Sequence, residues 1–234
     1  GEEQNTSYRR LDLPAKVDGT YQFAGDIRLP GMLFASVRHG MVGAGAKPSE
    51  LSQYEEGAIE RLRGVRVVQH KHWLATVAKT WWEAEQAFDR LRPKFAVIAP
   101  SETSEMEERL DTALREGKTF PISQLGEGSD NFGKHDIARR YDVMPATHAT
   151  PETATATARL ADGKLELWVA SQAPESTRKA VANAVGISQH DVVLYPMPAG
   201  GSYDRRLDTD HAVEAALIAR EIGKPIQLIW SRWQ

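Results

Sequence analysis

From Thr153 to Trp230 the apolar spacing switches repeatedly between a period of two and a period of 3.6, and punctuation at each switch leaves few ways to fold the segment. Thr153-Ala-Thr-Ala-Thr-Ala-Arg159 alternates strictly, Ala161-Asp-Gly163 is a hairpin turn, and Leu165-Glu-Leu-Trp-Val-Ala170 returns as a second strand. A helix follows Pro174, with Ala180, Val181, Ala184 and Val185 on its apolar side and Gly186 at its end. Asp191 to Met197 is a further strand. An apolar helix from His211 to Ile222 then closes at Gly223, ahead of the strand Pro225-Ile-Gln-Leu-Ile-Trp230. Strand, helix, strand, helix, strand in this order requires a sheet with helices packed on it.

Two polar turns in this run carry the chemistry. Ser171-Gln172-Ala-Pro174 links a strand to one helix, and Gly200-Gly201-Ser202-Tyr203-Asp204-Arg205-Arg206 links the next strand to the other. Each aims backbone N–H groups and the positive end of a helix at a ligand, which suits an anionic or oxo-bearing group. Neither the dinucleotide fingerprint nor the nucleotide-phosphate loop is present, and a plain left-handed glycine turn explains Gly200-Gly201 as well. Arg205 and Arg206 favour an anion slightly. His148 and Glu152 have the spacing of a helical metal pair, but Pro151 and the strand after it argue against a helix, and no third ligand lies nearby. No metal ligand and no catalytic residue is assigned.

The first hundred residues read as strand-rich. Tyr21–Ala24 and Met32–Arg38 are strands about the turn Arg28-Leu-Pro-Gly31, a helix runs from Ser52 to Gly64 with Glu55 in the capping-box position, and Val65–Gln69 and Trp73–Ala78 are strands. Thr80-Trp-Trp-Glu83 opens a capped helix whose apolar face is Ala84, Ala87, Phe88 and Leu91, and Phe95–Ala99 is another strand. Hairpin-length links make this an α+β arrangement. His70 and His72 read as exposed strand residues, and Trp81-Trp82 as core packing with a rim contact. Ser101 to Glu116 is an acidic, solvated helix with a capping box at Ser104 and Glu107, and Gly117 to Gly133 is a linker or long surface loop.

A net charge of −3 offers no footprint for nucleic acid, so none is expected as a partner. The absence of cysteine excludes disulfides, thiolate metal sites and a cysteine nucleophile within the chain. No apolar run is long enough to span a bilayer, and the start of the chain lacks the pattern of a signal peptide. A start without Met and an abrupt end at Trp233-Gln234 suggest a processed chain or an excised piece. The compartment cannot be read from these features.

Arg10-Leu-Asp-Leu-Pro-Ala-Lys-Val-Asp-Gly19, Asp26–Ala35, Gly64-Val-Arg-Val-Val68 and Thr80-Trp-Trp-Glu-Ala84 are similar to the entry segments of one protein family. His148-Ala-Thr-Pro-Glu152-Thr, Leu167–Pro174 and Gly200–Arg206 match its three later signatures in order. The chain therefore resembles the large, molybdenum-binding subunits of the xanthine dehydrogenase and aldehyde oxidase family, nearest the branch of isoquinoline 1-oxidoreductase beta subunits and related aldehyde dehydrogenases. The resemblance implies an α+β fold: an α/β-hammerhead domain over 8–100, an acidic helix and linker over 101–138, and the N-terminal part of a molybdopterin-binding domain over 139–234. It implies that Gln172, Gly200, Gly201, Tyr203 and Asp204 bind molybdopterin, as such or in its cytosine dinucleotide form. Gln172 would donate to an oxo ligand of the metal. The family's usual run is three glycines, Phe, Gly; Ser202, Tyr203 and Asp204 depart from it. The family's catalytic glutamate falls beyond Gln234, so a central fragment, inactive and empty alone, is expected. Its implied partners are the remainder of the large subunit or other chains, and an iron–sulfur small subunit. The competing expectation is a non-catalytic scaffold or interaction module whose cofactor loop has decayed.

Overall fold

The computed structural model describes residues 9–118, 120–126, 136–137, 139–143 and 146–234. Its strands are β1 (Leu33–His39), β2 (Glu50–Gln53), β3 (Arg66–Gln69), β4 (Trp73–Ala78), β5 (Lys94–Ala96), β6 (Thr155–Ala161), β7 (Lys164–Val169), β8 (Val192–Pro196) and β9 (Ile226–Ile229). Its α-helices are α1 (Leu13–Asp18), α2 (Trp81–Leu91), α3 (Thr103–Glu116), α4 (Pro174–Val185) and α5 (Asp210–Ile222). Seven strands form one mixed sheet in the order β3-β4-β1-β9-β6-β7-β8, and β2 pairs with β5 in a separate ribbon. Strands from both halves of the chain alternate in the large sheet. β1 runs parallel to β9, with Leu33 beside Ile226, while β9 is antiparallel to β6.

Local chemistry accounts for the elements that site geometry depends on. The β6–β7 hairpin turns at Asp162 (φ 51°) and Gly163 (φ 75°), the pair of positive dihedrals that a two-residue turn with the twist of its strands needs. α2 is held at its start by a reciprocal cap: Thr80 accepts from the Glu83 N–H, and the Glu83 carboxylate accepts from the Thr80 N–H at 3.1 Å. α4 opens on Pro174 and stops at Gly186, and α5 stops at Gly223, both glycines in the left-handed region.

The main core lies between the sheet and the pair α4 and α5. Val181, Ala182 and Val185 of α4 and Ala212, Ala215, Ala216, Ile218 and Ala219 of α5 bury against Ala156, Ala158, Leu165, Leu167, Ile226 and Leu228. Alanines at the sheet-facing positions of α5 let it approach closely. β4 is buried along its whole length because both faces are covered: Ala75 and Val77 join the main core, while Leu74 packs with Ala87, Phe88 and Leu91 of α2. Each fully buried Leu, Ile or Val stabilises the fold by roughly 1.5–3 kcal/mol.

Several expectations are corrected. Tyr21–Ala24 is not a strand: Phe23 caps a 3-10 turn over Ala24–Asp26, its N–H donating to the Asp26 carboxylate at 2.9 Å. Ser52 does not open a helix but sits in β2, where its hydroxyl donates to the Lys94 carbonyl, and Glu56–Arg61 forms only 3-10 turns. Pairing with the distant β5 outcompetes a local capping pattern there. α3 begins at Thr103, so its Ser104–Glu107 box is not the cap; the helix buries no residue, as a solvated helix should. Strand β5 ends at Ala96, and Ala99 turns with φ 53°. His70 and His72 stand in the turn between β3 and β4, half-buried, with His70 stacked on Trp73 and His72 Nδ1 at 3.0 Å from the Ser49 carbonyl. Of the expected loop from Gly117 to Gly133, residues 119 and 127–133 lie outside the described residues.

Candidate functional site

The two polar turns and the segment before β6 meet at one end of the sheet. β7 and β8 are parallel neighbours, so the turns that leave them emerge side by side. The Gln172 N–H donates to the Arg206 carbonyl at 3.0 Å, which fixes the first turn on the second. The Glu152 N–H donates to the Gly200 carbonyl at 3.1 Å, which brings in the third segment. All three signature segments are thereby joined through backbone.

Glu152 is the bracket of this assembly. Its Oε2 accepts from the Gly200 N–H at 3.0 Å and its Oε1 from the Gly25 N–H at 2.9 Å. The Gly25 segment is itself held by Gln227, a fully buried side chain of β9 that donates to the Ala24 and Ile27 carbonyls and to Thr157 Oγ1. Both sides of the site are therefore referenced to the centre of the sheet. The spacing to His148 is irrelevant to this role: His148 is exposed, and no three-residue cluster able to hold a metal occurs among the described residues.

Close approach explains the glycines. A Cβ on Gly200 would lie 2.5 Å from Glu152 Cβ, and Gly201, at φ 107°, would bring one within 3.0 Å of Pro151 Cδ. Only glycine permits that contact with the segment 150–152. Tyr203 and Asp204 continue in the left-handed region at φ 47° and 64°. The tyrosine side chain is exposed, and the Asp204 carboxylate accepts from Gln172 Nε2 at 3.2 Å. Ser202 Oγ donates to Gln172 Oε1 at 2.5 Å.

The two arginines serve the protein. Arg206, 2% exposed, donates through Nη2 to the Glu152 and Thr153 carbonyls, and burial pulls its pKa below the usual arginine value. Arg205 pairs with Asp208 and lies over the Trp230 ring. Among the described residues, the second N–H of Gln172, the N–H groups of Gly201, Ser202, Tyr203 and Asp204, and the buried Nε of Arg206 find no acceptor. That donor set fits a group whose edge presents oxygen acceptors, while the Asp204 carboxylate on Gln172 Nε2 opposes an anionic one.

A cavity of about 950 Å³ lies beyond Arg205 and Asp210 and contains none of the five candidate residues. His39, His70, His72, Trp230 and Trp233 line it with Glu214 of α5. Glu214 is 4% exposed, and its carboxylate accepts from Trp230 Nε1 at 2.8 Å and meets His39 Nε2 at 2.6 Å. Burial raises its pKa against the pull of His39 and Trp230. Burial lowers that of His39, but Glu214, Gln234 and Asp210 together leave it raised. His211 is the opposite case: buried, with Nε2 unpartnered among the described residues, it is held down to about 3 by burial and by the charges of Arg206 and Arg205. No sequence signal marked Glu152, Ser202, Glu214 or His39 for these roles, because each depends on a partner remote in the chain.

Residues 114–234 match the family model of the molybdopterin cofactor-binding domain. The chain is 28% identical to the isoquinoline 1-oxidoreductase subunit beta of Brevundimonas diminuta, over 95% of this chain and 30% of that protein. It is 26% identical to a membrane-bound aldehyde dehydrogenase [pyrroloquinoline-quinone] of Gluconacetobacter polyoxogenes, over 97% of this chain and 31% of that protein. Among solved structures it is similar to the aldehyde oxidoreductase of Desulfovibrio gigas, with a TM-score of 0.70 and 17% identity, over 97% of this chain and 30% of that one. The chain thus spans about a third of the length of the relatives it matches.

Proposed function

The chain belongs to the family of molybdopterin cofactor-binding domains, and we propose that it forms one wall of the molybdopterin site in the large subunit of a molybdenum-dependent hydroxylase. The observation that carries this reading is the convergence of Gln172 on the loop 200–204, joined by two side-chain hydrogen bonds and one backbone bond through Arg206. Gln172, Gly200, Gly201, Tyr203 and Asp204 would hold the cofactor. Molybdenum carried by a molybdopterin held there would supply oxygen-transfer and redox chemistry.

The work of this chain is binding and orientation. Gln172 offers an N–H to an oxygen acceptor, and the turn from Gly201 to Asp204 offers backbone donors that need no reorganisation when the ligand arrives. Gly200 and Gly201 keep the loop pressed on 150–152, so Glu152 fixes the height of the donor set. The substrates of the complete protein would be aldehydes or N-heterocycles, as the names of the relatives indicate, and an iron–sulfur subunit would accept the electrons. No helix among the described residues is long and apolar enough to cross a membrane.

Asp204 supports a second reading, in which the fold is kept as a scaffold and the loop no longer holds a cofactor, since its carboxylate faces the donor set. Elemental and pterin analysis of the complete protein that carries this chain separates the two. Molybdenum with a pterin chromophore is expected. Their absence from an intact, folded protein overturns the molybdenum reading, and a quinone in their place would favour the cofactor named for the Gluconacetobacter relative.

A further inference from the structure

Three side chains in the loop region form a closed arrangement that the glycine pattern alone does not require. The Gln172 amide has a carbonyl end, which only accepts, and an NH2 end with two donors; the ends are nearly the same shape, so its partners decide which way it faces. Ser202 Oγ donates to its carbonyl at 2.5 Å, and the Asp204 carboxylate accepts from its NH2 at 3.2 Å. Turning the amide over would set the Gln172 carbonyl against a carboxylate that cannot donate. Asp204 reaches this position from a left-handed backbone, φ 64°, following Tyr203 at 47°, conformations that glycine would adopt without cost. The loop carries two non-glycine residues in strained conformations, and the second of them places an acceptor on Gln172.

We propose that Asp204 and Ser202 are positioning residues that lock the Gln172 side-chain amide in one orientation, carbonyl toward Ser202 and NH2 toward Asp204, leaving a single N–H for the bound group. The lock stands on the geometry of three side chains in this chain; what the remaining N–H is for rests on the molybdopterin reading. On this view the departures Ser202 and Asp204 are a substitute means of holding the glutamine. An open glycine loop leaves the amide free to choose its partner, whereas the lock fixes the choice before the ligand binds.

The test is nuclear magnetic resonance of the 234-residue chain labelled with 15N-glutamine, with Q172E identifying the Gln172 side-chain signals by their loss. In the wild type the two amide protons are expected to be resolved. The bonded one should exchange with solvent about tenfold or more slowly than in exposed glutamines, the factor that a hydrogen bond to a charged group confers. D204G should abolish this protection while leaving the melting temperature equal or higher, because glycine relieves the left-handed backbone. D204N, which keeps an acceptor and tolerates that backbone, should restore most of it. S202A should leave the NH2 protected, because Asp204 still accepts from it. A residue that merely stabilised the loop would lose melting temperature in D204G and show no rescue. An unprotected Gln172 amide in the folded wild type, or equal protection in D204G and D204N, overturns the proposal. The measurement uses no cofactor, so an intact lock in a complete protein devoid of molybdenum would overturn the functional reading and keep the lock.

Discussion

His211 should set the acid limit of this chain's stability. It stands in the first turn of α5, 3% exposed, edge-on to Trp230 at 6.2 Å, and shares its surroundings with two arginine charges. Its pKa in the folded chain is held down to about 3, against an ordinary value of 6.5. The folded value lies below the unfolded one, so the contribution is complete above pH 6.5 and is lost as pH falls from there toward 3. One unit of pKa corresponds to about 1.4 kcal/mol, so by pH 5 the unfolded chain, which takes up the proton, gains about 2 kcal/mol on the folded chain. Urea unfolding at pH 7.5, 6.5, 5.75 and 5 measures this for the wild type and for His211→Phe. Phe keeps an edge-on aromatic contact and removes both the titration and the unpartnered nitrogen. The comparison is between pH slopes, so any fixed packing cost of the new ring cancels. The wild type is expected to lose about 2 kcal/mol more than the variant between pH 7.5 and 5. Parallel profiles for the two proteins would refute a buried, neutral His211.

The pair Glu214 and His39 predicts the opposite trend: both folded values are raised, so their contribution is largest in acid and falls as pH rises through them, and Glu214→Gln should flatten the decline in stability above neutral pH. Glu152→Gln replaces an acceptor of two backbone N–H groups with one that faces an N–H with its own NH2; a loss of roughly 1–3 kcal/mol in denaturant unfolding is expected, and no loss would show that Glu152 does not bracket the loop. Gly200→Ala drives a methyl group into Glu152, and about 1–3 kcal/mol of destabilisation should appear in the same assay, or the segment 150–152 is free to move away.

Elements specified by neighbouring residues were legible in the sequence. The Asp162-Gly163 turn, the Thr80–Glu83 cap and the glycine stops of α4 and α5 are each written within a few residues. Ser52 misled because its capping pattern is genuine locally, and β2 forms only when β5 comes alongside. The same holds for the sheet: nothing in Leu33 or Ile226 announces that β1 will lie parallel to β9. At the site, the candidate residues could be chosen from turns and resemblance. The hydrogen bonds that give them geometry could not, since Glu152 reaches Gly25 and Gly200, and Ser202 reaches Gln172, across long stretches of chain. Arg205 and Arg206 show the limit of charge as a clue, for both are engaged within the protein.

A structure of the complete protein with its cofactor bound tests the central claim most directly, through the surroundings of Gln172 Nε2. One of its N–H groups should point to an oxygen ligand of the metal at about 2.7–3.2 Å, with the backbone of Gly201 to Asp204 lying along the cofactor and Asp204 still on the other N–H. A cofactor seated elsewhere, with Gln172 facing solvent and the loop 200–204 touching only protein, would contradict it.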